Sequence, residues 1–420
     1  MRKFTSIIII LLVSMPVLLS AGIDVMEMDN GIDVIYEYDP SYNISAVSFY
    51  FDGGCLNYSE DKAGIEKFLM NMILRGSDTY SLDSLNTLMD NYGIHSDNLA
   101  SHDYSYLAFS SINKYFSATF KIASDILKNP SFEEQSMSIV REKMLSDIKS
   151  SMEKPDEIIW DELNKRFYGN HPYASKPDGF EETVSGITAG DLREHLDYLL
   201  HNNRIIVSVV SGIEPDKIMP LIKESLKDLK SPKDKSRLTP PAFDEYERGR
   251  FTVNKKGLMT SYVAGKFPVA SVKSEDYPAL RIGFSILSRK VYELLRTKHG
   301  LTYAAFAGVS NRKTNYGYFY VSTDYPDSAI SLTLEEFDRA KKNGVTEEEI
   351  DNIRNLFITS FYIRNEKSMD KSLMAGLDYL LYSDPEHSMN FAESISNLTD
   401  KEISRAFNKY ISDMVYIILK

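Results

Sequence analysis

The sequence predicts an α+β protein of two homologous domains, each with a mainly antiparallel β-sheet covered by α-helices. The chain has 420 residues, more than the roughly 250–300 residues at which a single hydrophobic core stops growing. Its hydrophobic content of 43% is sufficient for packed cores. The same order of predicted elements (strands, helix, strand pair, helices, final strand) occurs twice, although the two halves share little local sequence.

Composition excludes several classes of function. The formal net charge of −12 argues against a nucleic-acid partner, because a phosphate backbone requires a basic surface. Cys55 is the single cysteine, so an intramolecular disulfide and a cysteine-based zinc site are both excluded. The seven histidines never occur three or four residues apart, the spacing that would place two of them on one helix face.

Residues 1–21 are predicted to be a signal peptide. Arg2 and Lys3 precede an apolar run from Ile7 to Leu19, which is shorter than the ~20 residues that span a bilayer. Leu19-Ser20-Ala21 provides a small-residue cleavage site. We therefore expect an exported protein, in a bacterial periplasm, without stable membrane insertion after cleavage. An uncleaved membrane anchor is the alternative.

The first domain is predicted to span residues 22–225. Alternating β-branched and aromatic residues predict strands at 32–39 and 44–54. Apolar residues then recur with helical spacing over 62–75, and Gly76 supplies a stop. The remaining predicted elements are a strand pair at 94–111, a strand at 204–210, and helices at 81–92, 114–128, 132–153, 156–168 and 189–201.

A linker is predicted at 226–250, where the sequence is charged and contains Pro232, Pro240 and Pro241. The second domain, 251–420, repeats the earlier pattern of elements. Its predicted strands are 259–266, 302–310, 316–323 and 415–419, and its predicted helices are 276–297, 326–342 and 346–367.

Several segments together resemble one peptidase family. Residues 64–77 read GIEKFLMNMILRGS, residues 171–212 contain the pattern H-P-Y…G…I-T…N…V-V-S-G, and residues 296–303 read RTKHGLTY. In this order and spacing they resemble the pitrilysin/insulinase zinc metallopeptidases, which include mitochondrial processing peptidase. The resemblance covers nearly all of the chain after residue 21. It implies that the two domains form half of a clam-shell.

The resemblance also shows what this chain lacks. The family motif H-x-x-E-H supplies two zinc ligands and a general base, and a Glu about 75 residues later is the third ligand. Lys67, Met70 and Asn71 stand at the motif positions, and Asp147 stands at the downstream one. An ammonium group has no free lone pair and a thioether is too soft for zinc in this setting. We expect no metal in this chain and no activity by the chain alone.

The degenerate positions suggest a replacement for the metal. Lys67 and Asp147 correspond to two ligands of one ion, so the resemblance implies that their side chains face each other. We expect an ion pair between them, assisted by the amide of Asn71, that joins the two helices.

The second half retains family residues. In active relatives the Arg and Tyr of R-x-x-x-G-L-x-Y contact the substrate and the oxyanion, and Arg296 and Tyr303 match them. The alternative is a solvated Arg and a core Tyr. The glycine-rich turn that precedes this helix in the family is missing. The family also binds peptides as an added β-strand, and the matching strand here is Asn98, Leu99, Ala100 and Ser101; an interior strand is the alternative.

Three functions follow from this combination. The first is a non-catalytic subunit that contributes Arg296 and Tyr303 to a zinc-bearing homologue, with zinc held by that partner and peptides as substrates. The second is a pseudoenzyme that only binds peptides or acts as a scaffold. The third, an autonomous zinc peptidase, requires stoichiometric zinc in the single chain.

Overall fold

The computed structural model describes residues 22–232, 238–241, 243 and 245–420. The predicted signal peptide and part of the predicted linker lie outside the described residues. Each half of the described chain contains one β-sheet flanked by helices. The predicted α+β class is confirmed.

The first sheet has six strands. They are β1 (Gly22–Glu27), β2 (Asp33–Tyr38), β3 (Ile44–Asp52), β4 (His95–Ala100), β5 (Tyr104–Ile112) and β6 (Ile205–Ser211). Their order is β1-β2-β6-β3-β5-β4, with β2 and β6 parallel and every other pair antiparallel. Strand β1 was not predicted, and its addition places β2 inside the sheet.

The second sheet repeats this topology. Its strands are β7 (Gly249–Val253), β8 (Ser261–Pro268), β9 (Thr302–Val309), β10 (Tyr316–Thr323) and β11 (Val415–Leu419). The order β7-β11-β8-β10-β9 contains one parallel pair, β7 with β11, as the first sheet contains β2 with β6. Strands β4 and β9 therefore occupy equivalent sheet edges.

Six of the eight α-helices described in the first half match predicted helices, whereas those at 181–186 and 215–226 were not predicted. The eight helices are α1 (Ile65–Ile73), α2 (Leu82–Tyr92), α3 (Asn113–Lys128), α4 (Glu134–Ser151), α5 (Pro155–Tyr168), α6 (Glu181–Gly186), α7 (Ala189–His201) and α8 (Pro215–Leu226). Helix α1 begins after Gly64, whose φ of +92° lies in the left-handed region. A Cβ at Gly64 would lie 2.9 Å from the Cα of Gly179, so glycine is required at this turn.

The second half contains α9 (Tyr277–Tyr292), α10 (Pro326–Asn343), α11 (Glu347–Arg364), α12 (Ser368–Tyr382), α13 (His387–Ser394) and α14 (Asp400–Tyr410). The last three helices were not predicted. Helix α14 begins with a capping box, in which Thr399 accepts from the Glu402 amide and the Glu402 carboxylate accepts from the Thr399 amide.

Helix α5 belongs to the first half but packs on the second sheet. Ile159, Leu163 and Phe167 share one core cluster with residues of β8 and β11. Lys266 of β8 is fully buried beneath this helix and donates to Asn164 Oδ1. Its Nζ lies 3.9 Å from the centroid of the Tyr316 ring. Burial lowers the pKa of Lys266 well below its usual value.

Helix α12 makes the reciprocal contact, from the second half to the first sheet. Ala375 and Leu380 pack with Tyr50 and Ile206 on the face opposite the main core of the first half. A Cβ at Gly376 would lie 2.5 Å from a ring atom of Tyr50, so glycine permits the close approach of this helix. Each half therefore covers part of the other half's sheet.

Candidate functional site

The zinc-motif positions on α1 no longer form a ligand set. Met70 is fully buried in the core of the first half, whereas Lys67 and Asn71 are half-buried at its surface. Lys67 Nζ forms an ion pair with Asp178, and Asp147 Oδ2 pairs with Lys143 Nζ at 3.2 Å. The predicted ion pair between Lys67 and Asp147 is therefore wrong. Asp147 lies on the same stripe of α4 as the buried Val140 and Met144, but it is further toward the C-terminal end, where its side chain is 57% exposed and pairs with Lys143.

These residues do not fit a catalytic zinc ion. The Lys67 ammonium is a donor that is already ion-paired, and Met70 offers only a buried thioether. Among the described residues, no group of three or more His, Cys, Asp or Glu side chains is arranged to hold a metal.

A buried polar cluster beside α1 was missed from the sequence. Glu66 is 1% exposed, and its Oε1 accepts from Asn57 Nδ2 at 2.6 Å and lies 3.3 Å from His195 Nε2. Asn203 Nδ2 donates to Asn57 Oδ1 at 3.2 Å, and it also donates to the backbone oxygen of Asp52 at 2.8 Å. The cluster ties α1 to α7 and to the end of β3. Its members are far apart in sequence, so no spacing pattern revealed it.

Burial also lowers the reactivity of the single cysteine, Cys55. The Cys55 thiol lies 3.3 Å from the Tyr58 hydroxyl, within the same region. Desolvation raises the pKa of Cys55 to about 12, so the thiol is protonated and a poor nucleophile.

Arg296 and Tyr303 form a pair at the surface. The Arg296 guanidinium stacks over the Tyr303 ring at 4.5 Å, and its Nη1 donates to the backbone oxygen of Thr302 at 3.1 Å. Tyr303 is 85% exposed. The two side chains therefore leave most of their hydrogen-bonding capacity free for another molecule.

Both residues lie where regular structure is interrupted. Arg296 is in a π-helical segment, Glu293–Lys298, that continues directly from α9. Tyr303 lies in β9 where the register with β10 shifts, because Thr302 pairs with Thr323 and Ala304 with Ser322. Such irregularities redirect side chains and are frequent near functional sites. At the place where the family has a glycine-rich turn, α9 continues directly into the π-helical segment.

The strand matched to peptide binding is a sheet edge. Strand β4 pairs with β5 and with no other described strand, so one row of its backbone groups is free to bind. Asn98, Leu99 and Ala100 lie in this strand, and Leu99 is 38% exposed. Ser101 lies in the turn instead, where its hydroxyl donates to the backbone oxygen of Tyr104.

A cavity of about 1370 Å³ lies between the two halves. Leu99 of β4 contributes to one wall, and Tyr292, one residue before the π-helical segment, contributes to the other. The cavity thus borders the edge strand β4, whereas Arg296 and Tyr303 are not among its lining residues. Its other polar residues, including Arg281 and Asp378, carry no motif and were not predicted.

Two models of the same family match different parts of the chain. The model described as "Insulinase (Peptidase family M16)" matches residues 33–177, and the model described as "Peptidase M16 inactive domain" matches residues 186–357. The chain belongs to the insulinase family of peptidases. The resemblance found in the sequence is therefore confirmed.

Relatives in this insulinase family cover most of the chain at low identity. YmxG of Bacillus subtilis, an uncharacterized zinc protease, is 22% identical over 84% of this chain and 87% of that protein. YmxG of Helicobacter pylori, named a non-peptidase homolog, is 19% identical over 90% of this chain and 88% of that protein. A crystal structure of a peptidase M16 inactive domain from Pseudomonas fluorescens matches with a TM-score of 0.86 and 19% identity, covering 94% and 98% of the two chains.

The second half thus matches the model described as an inactive domain, and in the first half Lys67, Met70 and Asn71 stand where the resemblance places the zinc motif. A search of the described helices finds none with the length and apolar character needed to cross a membrane.

Proposed function

We propose that this chain is a zinc-lacking subunit of an exported peptidase. In this proposal Arg296 and Tyr303 act on a peptide held by a zinc-bearing homologue, which performs the hydrolysis. The observation that carries the proposal is the preformed, exposed Arg296–Tyr303 pair in a chain whose own zinc positions are lost. A guanidinium and a phenol are suitable donors to the negative charge that develops on a scissile carbonyl oxygen.

The edge strand β4 supplies the second part of the proposal. An extended peptide added to β4 would gain backbone hydrogen bonds, which tolerate many sequences. Asn98, Leu99 and Ala100 are the contacts that we assign to it, while Ser101 fixes the adjoining turn.

The test is reconstitution with a zinc-bearing homologue from the same organism. The two chains are co-purified, and hydrolysis of a quenched fluorescent peptide is measured with wild type, Arg296→Ala and Tyr303→Phe. We expect Arg296→Ala to lower kcat about 100-fold, with a much smaller change in KM, since an oxyanion donor acts mainly in the transition state. Lys298→Ala, at an exposed cation of the same segment, is the matched control.

A complex whose kcat is unchanged by Arg296→Ala would overturn the catalytic role. A chain that binds peptides but never associates with a zinc-bearing homologue would support the second function, a peptide-binding pseudoenzyme. That alternative has its own support, because β4 is available within this chain alone and a relative is named a non-peptidase homolog.

A further inference from the structure

The cavity between the halves is larger than most small-molecule sites. Its volume of about 1370 Å³ exceeds the ~300–1,000 Å³ typical of such pockets. The first sheet, through β4 and β5 and the helix α12 packed on it, forms one wall, and helices α9, α11 and α13 form the other. A cavity of this size beside an edge strand suits a peptide segment better than a small metabolite.

The wall from the first sheet is a cluster of three tyrosines. The Tyr50 ring centroid lies 5.7 Å from that of Tyr104 and 5.4 Å from that of Tyr106. Tyr50 OH donates to the backbone oxygen of Leu373, and Tyr106 OH donates to Asp97 Oδ2. Tyr50 itself is 1% exposed beneath α12, so the ring surface that this wall offers to apolar and aromatic side chains belongs to the half-buried Tyr104 and Tyr106.

Arg281 of α9 provides a cation on the opposite wall. Its guanidinium lies between two phenyl rings, 5.1 Å from the Phe357 centroid and 4.9 Å from the Phe391 centroid. No described residue forms an ion pair with it or accepts a hydrogen bond from its guanidinium. A guanidinium has five donors in a rigid fork that matches a carboxylate. The rings fix its position and leave those donors available to a ligand.

The nearby acid does not neutralise this cation. Asp378 is 4% exposed, and both of its oxygens accept from Ser388, one from the amide at 2.7 Å and one from the hydroxyl at 2.8 Å. Burial raises the pKa of Asp378 to about 7, so its carboxyl is partly protonated near neutral pH. His387 stacks on Tyr382 in the same region, and burial lowers its pKa, so it adds no positive charge at pH 7.

We propose that Arg281 binds the carboxylate of a peptide that enters the cavity from the edge strand β4. The rings of Tyr104 and Tyr106 receive apolar side chains, and the guanidinium anchors the terminal carboxylate. This inference rests on the peptide-binding part of the proposed function and adds the class of ligand: peptides with a free carboxyl terminus that follows an apolar residue.

The test uses the full mature chain and fluorescein-labelled hexapeptides with the sequence Gly-Ser-Val-Thr-Ile-Phe. One has a free C-terminal acid and the other has a C-terminal amide; a third carries Glu at position four and an amide end. Fluorescence anisotropy gives Kd at pH 6.5. We expect the acid to bind about tenfold more tightly than the amide, as suits a charge-assisted hydrogen bond. Tight binding of the Glu peptide instead would overturn the terminal assignment.

The variant Arg281→Gln should remove the difference between acid and amide peptides while leaving amide binding unchanged. Arg193→Gln is the matched control, because Arg193 also stacks on a phenyl ring, that of Phe132, but lies on α7 outside the cavity. If Arg281→Gln does not fold, competition on the wild-type chain decides instead, with N-acetylphenylalanine expected to displace the labelled peptide and its amide not.

Equal binding of acid and amide peptides by the wild-type chain would overturn the carboxylate anchor and leave peptide binding at β4 intact. Failure of every peptide to bind at concentrations up to about 1 mM would overturn the anchor as well. Reconstituted activity that depends on Arg296 would then still support the proposed subunit function, so the two failures are distinguishable.

Discussion

Met70 stands at the position where the resemblance places the catalytic Glu of the family motif, and its side chain is completely buried in the first core. Its neighbours Phe68, Leu69 and Met72 are buried as well. The position therefore contributes packing, and a glutamate there would introduce a carboxylate into an apolar environment.

We predict that Met70→Glu lowers the free energy of unfolding by about 3 kcal/mol or more, because a buried polar group without a partner is costly. Urea denaturation followed by circular dichroism measures this. Lys67→Ala is the control from the same helix, and its half-exposed ion pair with Asp178 should contribute less than about 1 kcal/mol. A loss below 1 kcal/mol for Met70→Glu would show that the position is open to water.

Arg296 and Tyr303 illustrate how far residue patterns reach. The resemblance of residues 296–303 to a family motif was enough to single them out, and the structure places them in contact. Glu66 and His195 meet only because α1 and α7 are adjacent in the fold, so no local pattern indicated them.

At the scale of elements, the junction of α12 and α13 is sensitive to pH. Asp378 of α12 accepts from Ser388 at the start of α13, which joins the two helices. The charged or titratable groups that interact with it include Asp384, Arg281, Tyr50 and Tyr382. The hydrogen bonds from Ser388 and the charge of Arg281 partly oppose the upward shift of its pKa. Desolvation dominates, and the pKa rises from 3.8 to about 7.

The sign of the pH dependence follows from this shift. Between pH 3.8 and about 7 the folded chain binds more protons at Asp378 than the unfolded chain does, so stability falls as the pH rises. The free energy of unfolding then falls by at most about 1.4 kcal/mol per pH unit, the value for a single titrating group. Asp378→Asn should remove this contribution, so that wild type loses more stability than the variant between pH 5 and pH 7. Urea midpoints at both pH values measure the difference; parallel losses would contradict the assignment.

Elements were predicted best where the apolar period was clear. The predicted helix 276–297 corresponds to α9 and the π-helical segment together, and strand 415–419 matches β11. Strand β1 was missed because its burial pattern is mostly exposed, which weakens the alternation. Helix α12 was missed because it packs against a sheet distant in sequence, and that contact cannot be read locally.

At the scale of the whole molecule, a buried ion pair joins the two halves. Lys313, in the turn between β9 and β10, pairs with Asp52 at the end of β3, with side-chain exposures of 11% and 1%. Lys313 also donates to the backbone oxygen of Leu238 at 2.9 Å, and its amide donates to Asp103 Oδ2. One lysine thus connects the second half to the first half and to the connecting segment.

We predict that Lys313→Met destabilises the chain by about 3–5 kcal/mol, because Asp52 would be left as a buried charge without its partner. Lys143→Met, which removes the exposed ion pair with Asp147, should change stability by less than about 1 kcal/mol. Thermal denaturation compares the two variants. The double variant Lys313→Met with Asp52→Leu should recover part of the loss; without such recovery, the effect would not arise from the unpaired charge.

The sequence by itself determined the two repeated α+β halves, the family, the absence of the zinc ligands and the candidate pair Arg296 and Tyr303. The repeated halves follow from periodicity, which acts over a few residues to a few tens of residues, and the family and the site positions follow from the resemblance of short motifs in a fixed order. Only the tertiary structure decided that Lys67 pairs with Asp178, that α5 and α12 cross between the halves, and that Arg281 faces a shared cavity. Each of these depends on which distant surfaces meet, and that is set by the burial of complementary apolar faces from both halves.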